Sequence, residues 1–581
     1  MNKILKYILP AAALVLSSGL TSCLNDLHVN PIDPSMQTDV EAEQLFNKCY
    51  ANFGLAGNGG PDGDSDVDGI DGGTSGLFRQ MWNSNELTTD EAYCGWGDDG
   101  VPTYCHNTYD ASHPMLRGYY YRLCVGIAYC NQYLKDFSDH DAVMTAEVRF
   151  LRAFHYYLLM DAFRNVPFTT VISSEKPKQA SAPEVQAFIE AELKAIIGED
   201  EADNATVLAD AKPHTKGDGR WGRVDKAAAW MLLSRLYLNS EVHTGVAQWA
   251  KAQEYAEKVI NSAYELNTVG SAKEVTTTDP GSGVSNTETW EFSPYQMLFM
   301  GDNAKTSAAA EAVFPILSDG MRTASWGVSL FLIASTHDGD MHDLRYDEFF
   351  ADQSKRSVNG VSGQAWGGNR ARPELIKLFF KNPEDCPTET ASYDMPFAAE
   401  DDRALFNTIG RTLNIETTTT FKNGYAVAKF NNFTTDGTAT SDATHPDMVV
   451  MLMRKAEAYL NAAEAAMRLG DEGTARKYVN TLRNRANATP LDFVTMDDIL
   501  AEWGREFYFE GLRRPQLIRF GKFGGKTGYS WQWKGGTYEG QDFEAFRNVF
   551  AIPTSDLIAN KNLKQNNGYK SAEKGEYLLI K

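Results

Sequence analysis

The sequence predicts a mostly α fold, a TPR-like helical-repeat scaffold that carries long loop-rich insertions. Three observations predict it. Ala146–Pro167 (AEVRFLRAFHYYLLMDAFRNVP) is apolar at Val148, Phe150, Leu151, Phe154, Tyr157, Leu158 and Phe163 and at most positions between. That is too wide for a surface stripe and reads as a helix buried on most sides. Two helix–turn–helix pairs recur, Asp225–Asn239 with Trp249–Ala263 and Met448–Leu469 with Glu472–Ala486. Small residues such as Ala228, Ala252, Ala456 and Ala475 stand where paired helices must approach. Between the pairs, residues 267–447 turn to Gly, Thr, Asn and Asp, with few long periodic runs.

The chain opens with an expected export leader, Met1–Ser22: Lys3 and Lys6, then ILPAAALVLSSGL, then small residues. The apolar run is too short to span a bilayer, so residues 1–22 are read as a removable signal. Leu20-Thr21-Ser22-Cys23 follows directly and resembles a bacterial lipobox, which makes Cys23 the expected acylated first residue. Residues 23–40, LNDLHVNPIDP among them, then form a polar, proline-punctuated lipidated tether. Several acyl chains on one cysteine, palmitate among them, would anchor firmly where a single chain would not.

Glu41–Phe53 is the first amphipathic helix. Gly54–Gly76 then collapses into Gly and Asp, a loop long enough to be functional or disordered. Leu77–Thr89 begins another helix, before a loop-like segment Asp90–Pro114 that carries Tyr93, Trp96, Tyr104 and Tyr109. Helices follow at about 115–137, 142–163 and 184–197. Arg149 and Arg152 lie three apart on one face of the second, where a charge needs a partner. Asn165 and Pro167 stop that helix. Arg372–Phe380 is a short helix within the insertion and Met496–Arg513 the last strong one. No low-complexity linker separates autonomous units. We therefore expect a single domain over 41–581, with an N-terminal helical part (about 41–265), the insertion (about 267–447) and a C-terminal helical part (about 448–581).

The 581 residues are 43% hydrophobic and carry a net charge of −22, ample for a large core. An acidic body with no basic stripe argues against nucleic acid and against electrostatic attachment to anionic lipid. Neutral ligands are the natural class. Outside the cytoplasm, some of Cys49, Cys94, Cys105, Cys124, Cys130 and Cys386 could pair, Cys94–Cys105 closing the nearest loop. Their spacing lacks the CxxC form of a zinc site.

The helix AEWGREFYFEGLRRPQLIRFG places Glu506 and Glu510 one turn apart. Two such carboxylates suggest a glycosidase acid/base pair. Against that, Arg513 and Arg514 stand at i+3 and i+4 of Glu510, the geometry of a structural ion pair, and arginines lower a carboxyl pKa where catalysis needs it raised. Asp64-x-Asp66-x-Asp68-Gly69 matches the first half of an EF-hand loop, but Ser75 occupies the closing position. Asp64, Asp66 and Asp68 are thus an incomplete calcium site, and a solvated acidic loop is the expected state. HDGDMHD (His337–Asp343) matches no helix-borne metal motif and reads as a surface loop. No P-loop, G-x-S-x-G or dinucleotide fingerprint is present.

The tryptophans divide by context. Trp230, Trp249 and Trp503 lie in helices and are expected in the core. Trp96, Trp326 and Trp366 lie in polar, Gly-rich stretches, YCGWGDDG, MRTASWGVS and SGQAWGGNR, with no helix of their own to pack on. Sugars present C–H faces that stack on aromatic planes, and hydroxyls that need charged or amide partners. Asp71, Arg79 and Asp99 lie near the first of these rings in sequence.

AEVRFLRAFHYYLLMDAFRNVPF and REFYFEGLRR…LIRFG resemble the two signature helices of the SusD/RagB family. The likeness spans nearly the whole chain after the leader, taking in CLNDLHVNPIDP, PDGDSDVDGIDGGTSGLFR…NELTTDE and WQWKGG at Trp531–Gly536. It is strongest toward the family's starch-binding branch. The resemblance implies a non-enzymatic lipoprotein of the outer membrane's outer face. Such a protein captures oligosaccharide or polysaccharide, here α-glucan, and delivers it to a SusC-like TonB-dependent transporter. It further implies that Trp96, Trp326 and Trp366 supply the aromatic arc and that Asp71, Arg79 and Asp99 hydrogen-bond sugar hydroxyls. Within that pattern Trp326 stands at a tyrosine position, Asp99 replaces an asparagine and Cys94 a further tryptophan. No cofactor is expected.

Overall fold

A computed structural model of the protein describes residues 40–57, 65–67, 70, 72–278, 281–341 and 358–570. The leader, Cys23, the tether up to residue 39, Asp64, Asp68, Asp71, His342 and Asp343 lie outside the described residues. Helices α1 (Ala42–Ala51) and α2 (Leu77–Glu86) come first, then strand β1 (Ala92–Cys94), then the long helices α3 (Pro114–Asp136) and α4 (Ala142–Phe163). Helix α4 starts where the Asp141 carboxylate accepts the Met144 amide at 2.7 Å, satisfying one of the free N–H groups of its first turn. Its side chains are buried nearly all round. The expected partner of its two arginines is Glu192, which takes Arg149 Nη2 at 2.9 Å and Arg152 Nη2 at 2.8 Å.

Glu192 belongs to α5 (Ala182–Ile196), opened by a Ser181–Glu184 capping box. Helices α6 (Lys226–Leu238) and α7 (Trp249–Ile260) form the first predicted pair. The chain then leaves the helical frame. It makes the hairpin β2 (Ser271–Thr278) and β3 (Ser285–Phe292), strand β4 (Ala312–Ile316), helix α8 (Ser329–Thr336) and strand β5 (Asn369–Ala371). It returns through β6 (Val450–Arg454) into α9 (Lys455–Arg468), α10 (Glu472–Arg485), α11 (Met496–Phe507) and α12 (Arg513–Arg519).

The helices pack as a series in which each lies on the next: α3 on α4, α4 on α5, α5 on α6, α6 on α7, α7 on α9, α9 on α10. The two helix pairs are therefore direct neighbours through α7 and α9, although about 190 residues separate them in sequence. This is how repeat units bury a continuous core. Among the described residues, no helix is long and apolar enough to cross a membrane.

Two expected boundaries are corrected. Met448–Leu469 is not one helix, because Val450–Arg454 pairs antiparallel with β4, Val450 opposite Ile316 and Arg454 opposite Ala312. A short apolar run such as Val450–Met453 cannot be told from helix by periodicity alone, and the distant strand decides it. Met496–Arg513 is likewise broken after Phe507. The Glu86 carboxylate takes the Gly511 amide at 2.6 Å and the Leu512 amide at 3.0 Å, while Trp82 Nε1 donates to the Phe509 carbonyl at 2.7 Å. Phe509 and Gly511 both adopt positive φ there, +62° and +83°. Tertiary hydrogen bonds outweigh the local helical pattern.

Candidate functional site

Strands β1 and β5 pair antiparallel, with Ala92 opposite Ala371, Tyr93 opposite Arg370 and Cys94 opposite Asn369. This two-stranded ribbon brings the loop after β1 beside the loop before β5. Trp96 stands just after β1, at the start of the first loop, and Trp366 just before β5, at the end of the second. The Gly95 amide donates to the Gly368 carbonyl at 3.0 Å, and the Trp366 amide donates to the Ala334 carbonyl of α8 at 2.8 Å. Trp326 precedes α8 on a segment tied down by the Ser325 hydroxyl, which donates to the Gly54 carbonyl at 2.7 Å.

The structure thus brings the three loop tryptophans together as one row. Ring centroids are 6.3 Å apart from Trp96 to Trp366 and 6.3 Å from Trp366 to Trp326, with planes turned by 56° and 44°. All three indoles are half-buried and pack against the core. Phe331 of α8 packs beneath Trp96 at 6.3 Å, and His445 lies 5.3 Å from Trp326. Neighbouring planes that turn in this way present successive faces rather than a flat stack.

Arg79 reaches the row as well, its guanidinium 5.7 Å from the Trp96 centroid and 5.1 Å from that of Phe331. Such cation–π placement sets the guanidinium over the ring faces. Asp99 remains exposed on the turn Asp98–Gly100, where its charge is felt by His113. Sequence reasoning missed Gln364, whose Oε1 accepts the Trp366 indole N–H at 2.6 Å. The amide two residues before a loop tryptophan in SGQAW is the signal that could have found it. It also missed Phe421, whose ring lies against Gly367.

Two glycines are required here. Gly368 has φ +103°, and a Cβ on it would fall on the Trp96 indole nitrogen. Gly367, at φ +63°, admits Phe421. We expect Gly368→Ala to displace Trp96. The strained backbone should lower stability by about 1–2 kcal/mol, and ligand affinity should fall about as far as in Trp96→Ala. Calorimetric titration with a thermal melt of the same sample checks this, and unchanged affinity would show that the Trp96 ring position does not matter.

His337 is a correction. It is a buried residue closing α8, its Nδ1 2.9 Å from the Ile333 carbonyl, and burial pushes its pKa down to about 4. The reading of this stretch as a surface loop followed its polar composition and overlooked the apolar helix before it, whose C-terminal carbonyls the imidazole satisfies. Next to it, Asp338 forms a backbone bridge to Trp366 and holds Arg411 and, at 3.1 Å, Lys422. Burial raises the Asp338 carboxyl, but Arg411 and Lys422 outweigh it and hold the group below its ordinary value. A polar cluster therefore borders the row.

The other constellations are structural. Both Asp66 oxygens are engaged, by Arg122, by Lys48 at 2.7 Å and by the Tyr129 hydroxyl at 2.7 Å. Asp66 therefore faces cationic side chains and is not a freely solvated loop carboxylate. Cys94 and Cys105 are buried free thiols in contact, Cys105 Sγ lying 3.8 Å from the Cys94 carbonyl.

Glu506 and Glu510 do not share a helical face, since the helix ends between them. Glu506 is fully buried, with Arg454 Nη1 at 2.6 Å, Arg403 Nη1 at 3.2 Å and Arg485 also in contact. Burial alone would raise its pKa, but the three arginines hold it far below the carboxylate range. Glu510 pairs with Lys429 and Arg454, each at 2.8 Å, and not with the arginines that follow it. Arg513 instead binds Asp90 at 2.8 Å, and Arg514 stacks on Phe550. Glu506, held ionised by its three arginines, cannot protonate a glycosidic oxygen.

Comparison with known proteins shows the family and the fold. The sequence model of the SusD family matches residues 401–569. Over 98% of its length the chain is 35% identical to the starch-binding protein SusD of Bacteroides thetaiotaomicron, all of which is covered. The chain belongs to the SusD family. Among solved structures it is similar to surface glycan-binding protein A from Bacteroides uniformis, with TM-score 0.61 and 20% identity over 90% of this chain and 98% of that one. It is also similar to surface glycan-binding protein A from B. thetaiotaomicron, solved in complex with laminarihexaose, with TM-score 0.59 and 18% identity over 90% and 99%. At these identities the structural likeness concerns the fold.

Proposed function

We propose that the protein is a cell-surface lipoprotein, anchored to the outer membrane through acylated Cys23, that captures oligosaccharide and passes it to a SusC-like TonB-dependent transporter. The row Trp96–Trp366–Trp326 is the observation that carries the binding part of this reading. Three half-open indoles at a spacing of 6.3 Å, bordered by Gln364, Arg79 and Asp338, suit the alternation of apolar faces and hydroxyls along a glycan chain. An α-glucan is the preferred ligand, on the strength of the 35% identity to starch-binding SusD. The turning of the ring planes supports it, because a curved chain meets successively rotated faces. Asp71 and Asp99 complete the proposed set of hydroxyl partners.

Each stacked ring adds on the order of 1 kcal/mol beyond area burial. A few such contacts, less the cost of ordering a flexible chain, give weak capture compatible with release. The reading invokes no cofactor and no chemical step. Its anchor and transporter parts rest on the leader, on Cys23 and on family membership. Titration of the soluble chain, begun after Cys23, with maltoheptaose and laminarihexaose tests it: binding of maltoheptaose in preference to laminarihexaose is expected. Failure of both to bind would remove the glucan assignment.

A further inference from the structure

A second aromatic and polar constellation lies outside the tryptophan row and shares no residue with it. Phe397, on the short helix Met395–Ala399, is 73% exposed. A lone exposed ring would carry no meaning, since single apolar residues on a surface are normal. This one is built into a larger arrangement. Tyr393 packs beside it with centroids 6.1 Å apart and planes turned by 57°, and Trp290 at the base of the β2–β3 hairpin packs on Tyr393 at 5.2 Å and 44°. The ring is therefore braced from behind, with its outer face in solvent. The centroid spacings and tilts are close to those of the tryptophan row.

Beside the ring is a cavity of about 380 Å³, large enough for a small ligand. Phe397 and Tyr393 form its aromatic wall, and Asp402, Asn487, Gln296 and Glu291 its polar wall. The polar groups are partly committed to one another in a way that fixes their orientation. Asn487 Nδ2 donates to Asp402 Oδ2 at 2.7 Å, and Gln296 Oε1 accepts the Ser293 amide at 2.9 Å. The Asn487 carbonyl, the other Asp402 oxygen and the Gln296 –NH2 group are the acceptors and donors that remain for a ligand. Burial pushes the Asp402 carboxyl up, and Arg403 and Arg485 lie near enough to draw it down against that push. The aromatic face, amides and carboxylates together form a donor and acceptor set for sugar hydroxyls rather than for an anion.

We propose that the Phe397 cavity is a second carbohydrate-contact site, taking one or two units of a neutral glycan whose main length lies elsewhere. This rests on the reading of the protein as a glycan binder and adds bivalency to it. Two weak sites on one body raise avidity for a long polysaccharide without adding any tight contact.

The test is retardation of the soluble chain in native affinity gels containing starch, laminarin, mannan or xylan. Wild type is compared with Phe397→Ala, with the double variant Trp96→Ala/Trp366→Ala and with the triple combination, each checked by thermal melting. Phe397 is exposed, so its variant is expected to fold. We expect Phe397→Ala to weaken wild-type retardation at least threefold on the polysaccharide that retards it most. The double variant should keep residual retardation that the triple variant loses. If Phe397→Ala changes nothing in either background, the second site is overturned while the tryptophan row stands. If no polysaccharide retards wild type, both readings fall.

Discussion

Glu506→Ala is expected to lower the unfolding free energy by about 3–5 kcal/mol, the usual cost of leaving buried charges without their partner. Glu506 Oε1 faces Arg454 and Arg485, and its Oε2 faces Arg403, all with fully buried side chains. The network extends to Glu311, which takes Arg454 at 3.0 Å and Arg485 at 3.2 Å, and to Glu502, which takes Arg403 at 2.5 Å and Arg483 at 3.1 Å. Burial would raise the Glu502 pKa, but Arg403, Arg505 and Arg483 bring it down to about 2. Glu311 and Arg403 come from the insertion, and Arg454, Arg485 and Glu506 from the C-terminal helical part. These ion pairs therefore join the two regions.

Removing one carboxylate leaves arginines buried in a low dielectric with too few acceptors. Urea unfolding followed by circular dichroism measures the loss. Asp203→Ala provides the contrast, because Asp203 is half-exposed where it meets Arg149 at 2.8 Å, and its removal should cost less than about 1 kcal/mol. A Glu506→Ala protein within about 1 kcal/mol of wild type would mean that the network contributes little. A Glu506→Gln variant, closer in volume, separates lost charge from lost packing.

Trp366→Ala is expected to have the largest effect on ligand binding. Trp366 is the central ring and lies 6.3 Å from each of the others, so its removal deletes one stacking face and the lateral support of two more. We expect a loss of about 2 kcal/mol, roughly 30-fold in Kd, against about 1 kcal/mol for an end ring such as Trp326. Because the ring is half-exposed, stability should change much less than affinity. Titration of wild type, Trp326→Ala and Trp366→Ala with one glycan measures the order. An effect of Trp366→Ala no larger than that of Trp326→Ala would mean that the three rings act independently.

How much of this was legible in the sequence depends on the reach of each interaction. The buried α4 and the need of its two arginines for a partner follow from spacing within one segment, and Glu192 fulfils that need. The loop tryptophans were legible for a related reason: an indole in a Gly-rich stretch has no local surface to pack against. What spacing could not show is which distant segment competes for a backbone. Val450–Arg454 is a strand because β4 lies beside it, and the last long helix breaks because Glu86, more than 400 residues earlier, captures the Gly511 and Leu512 amides. The same holds for Glu510, which chooses Lys429 and Arg454 over the arginines one turn on. His337 and Asp338 looked alike in sequence, and only the packing of α8 separates a buried imidazole from an ion-paired carboxylate beside the row.

A crystal structure of the soluble chain soaked with maltoheptaose is the most direct measurement of the central claim. The expected result is consecutive pyranose rings lying face-on to Trp96, Trp366 and Trp326, with hydroxyls within hydrogen-bond distance of Gln364 or Arg79. Sugar density away from all three indoles, in crystals of a protein that binds maltoheptaose in solution, would contradict it.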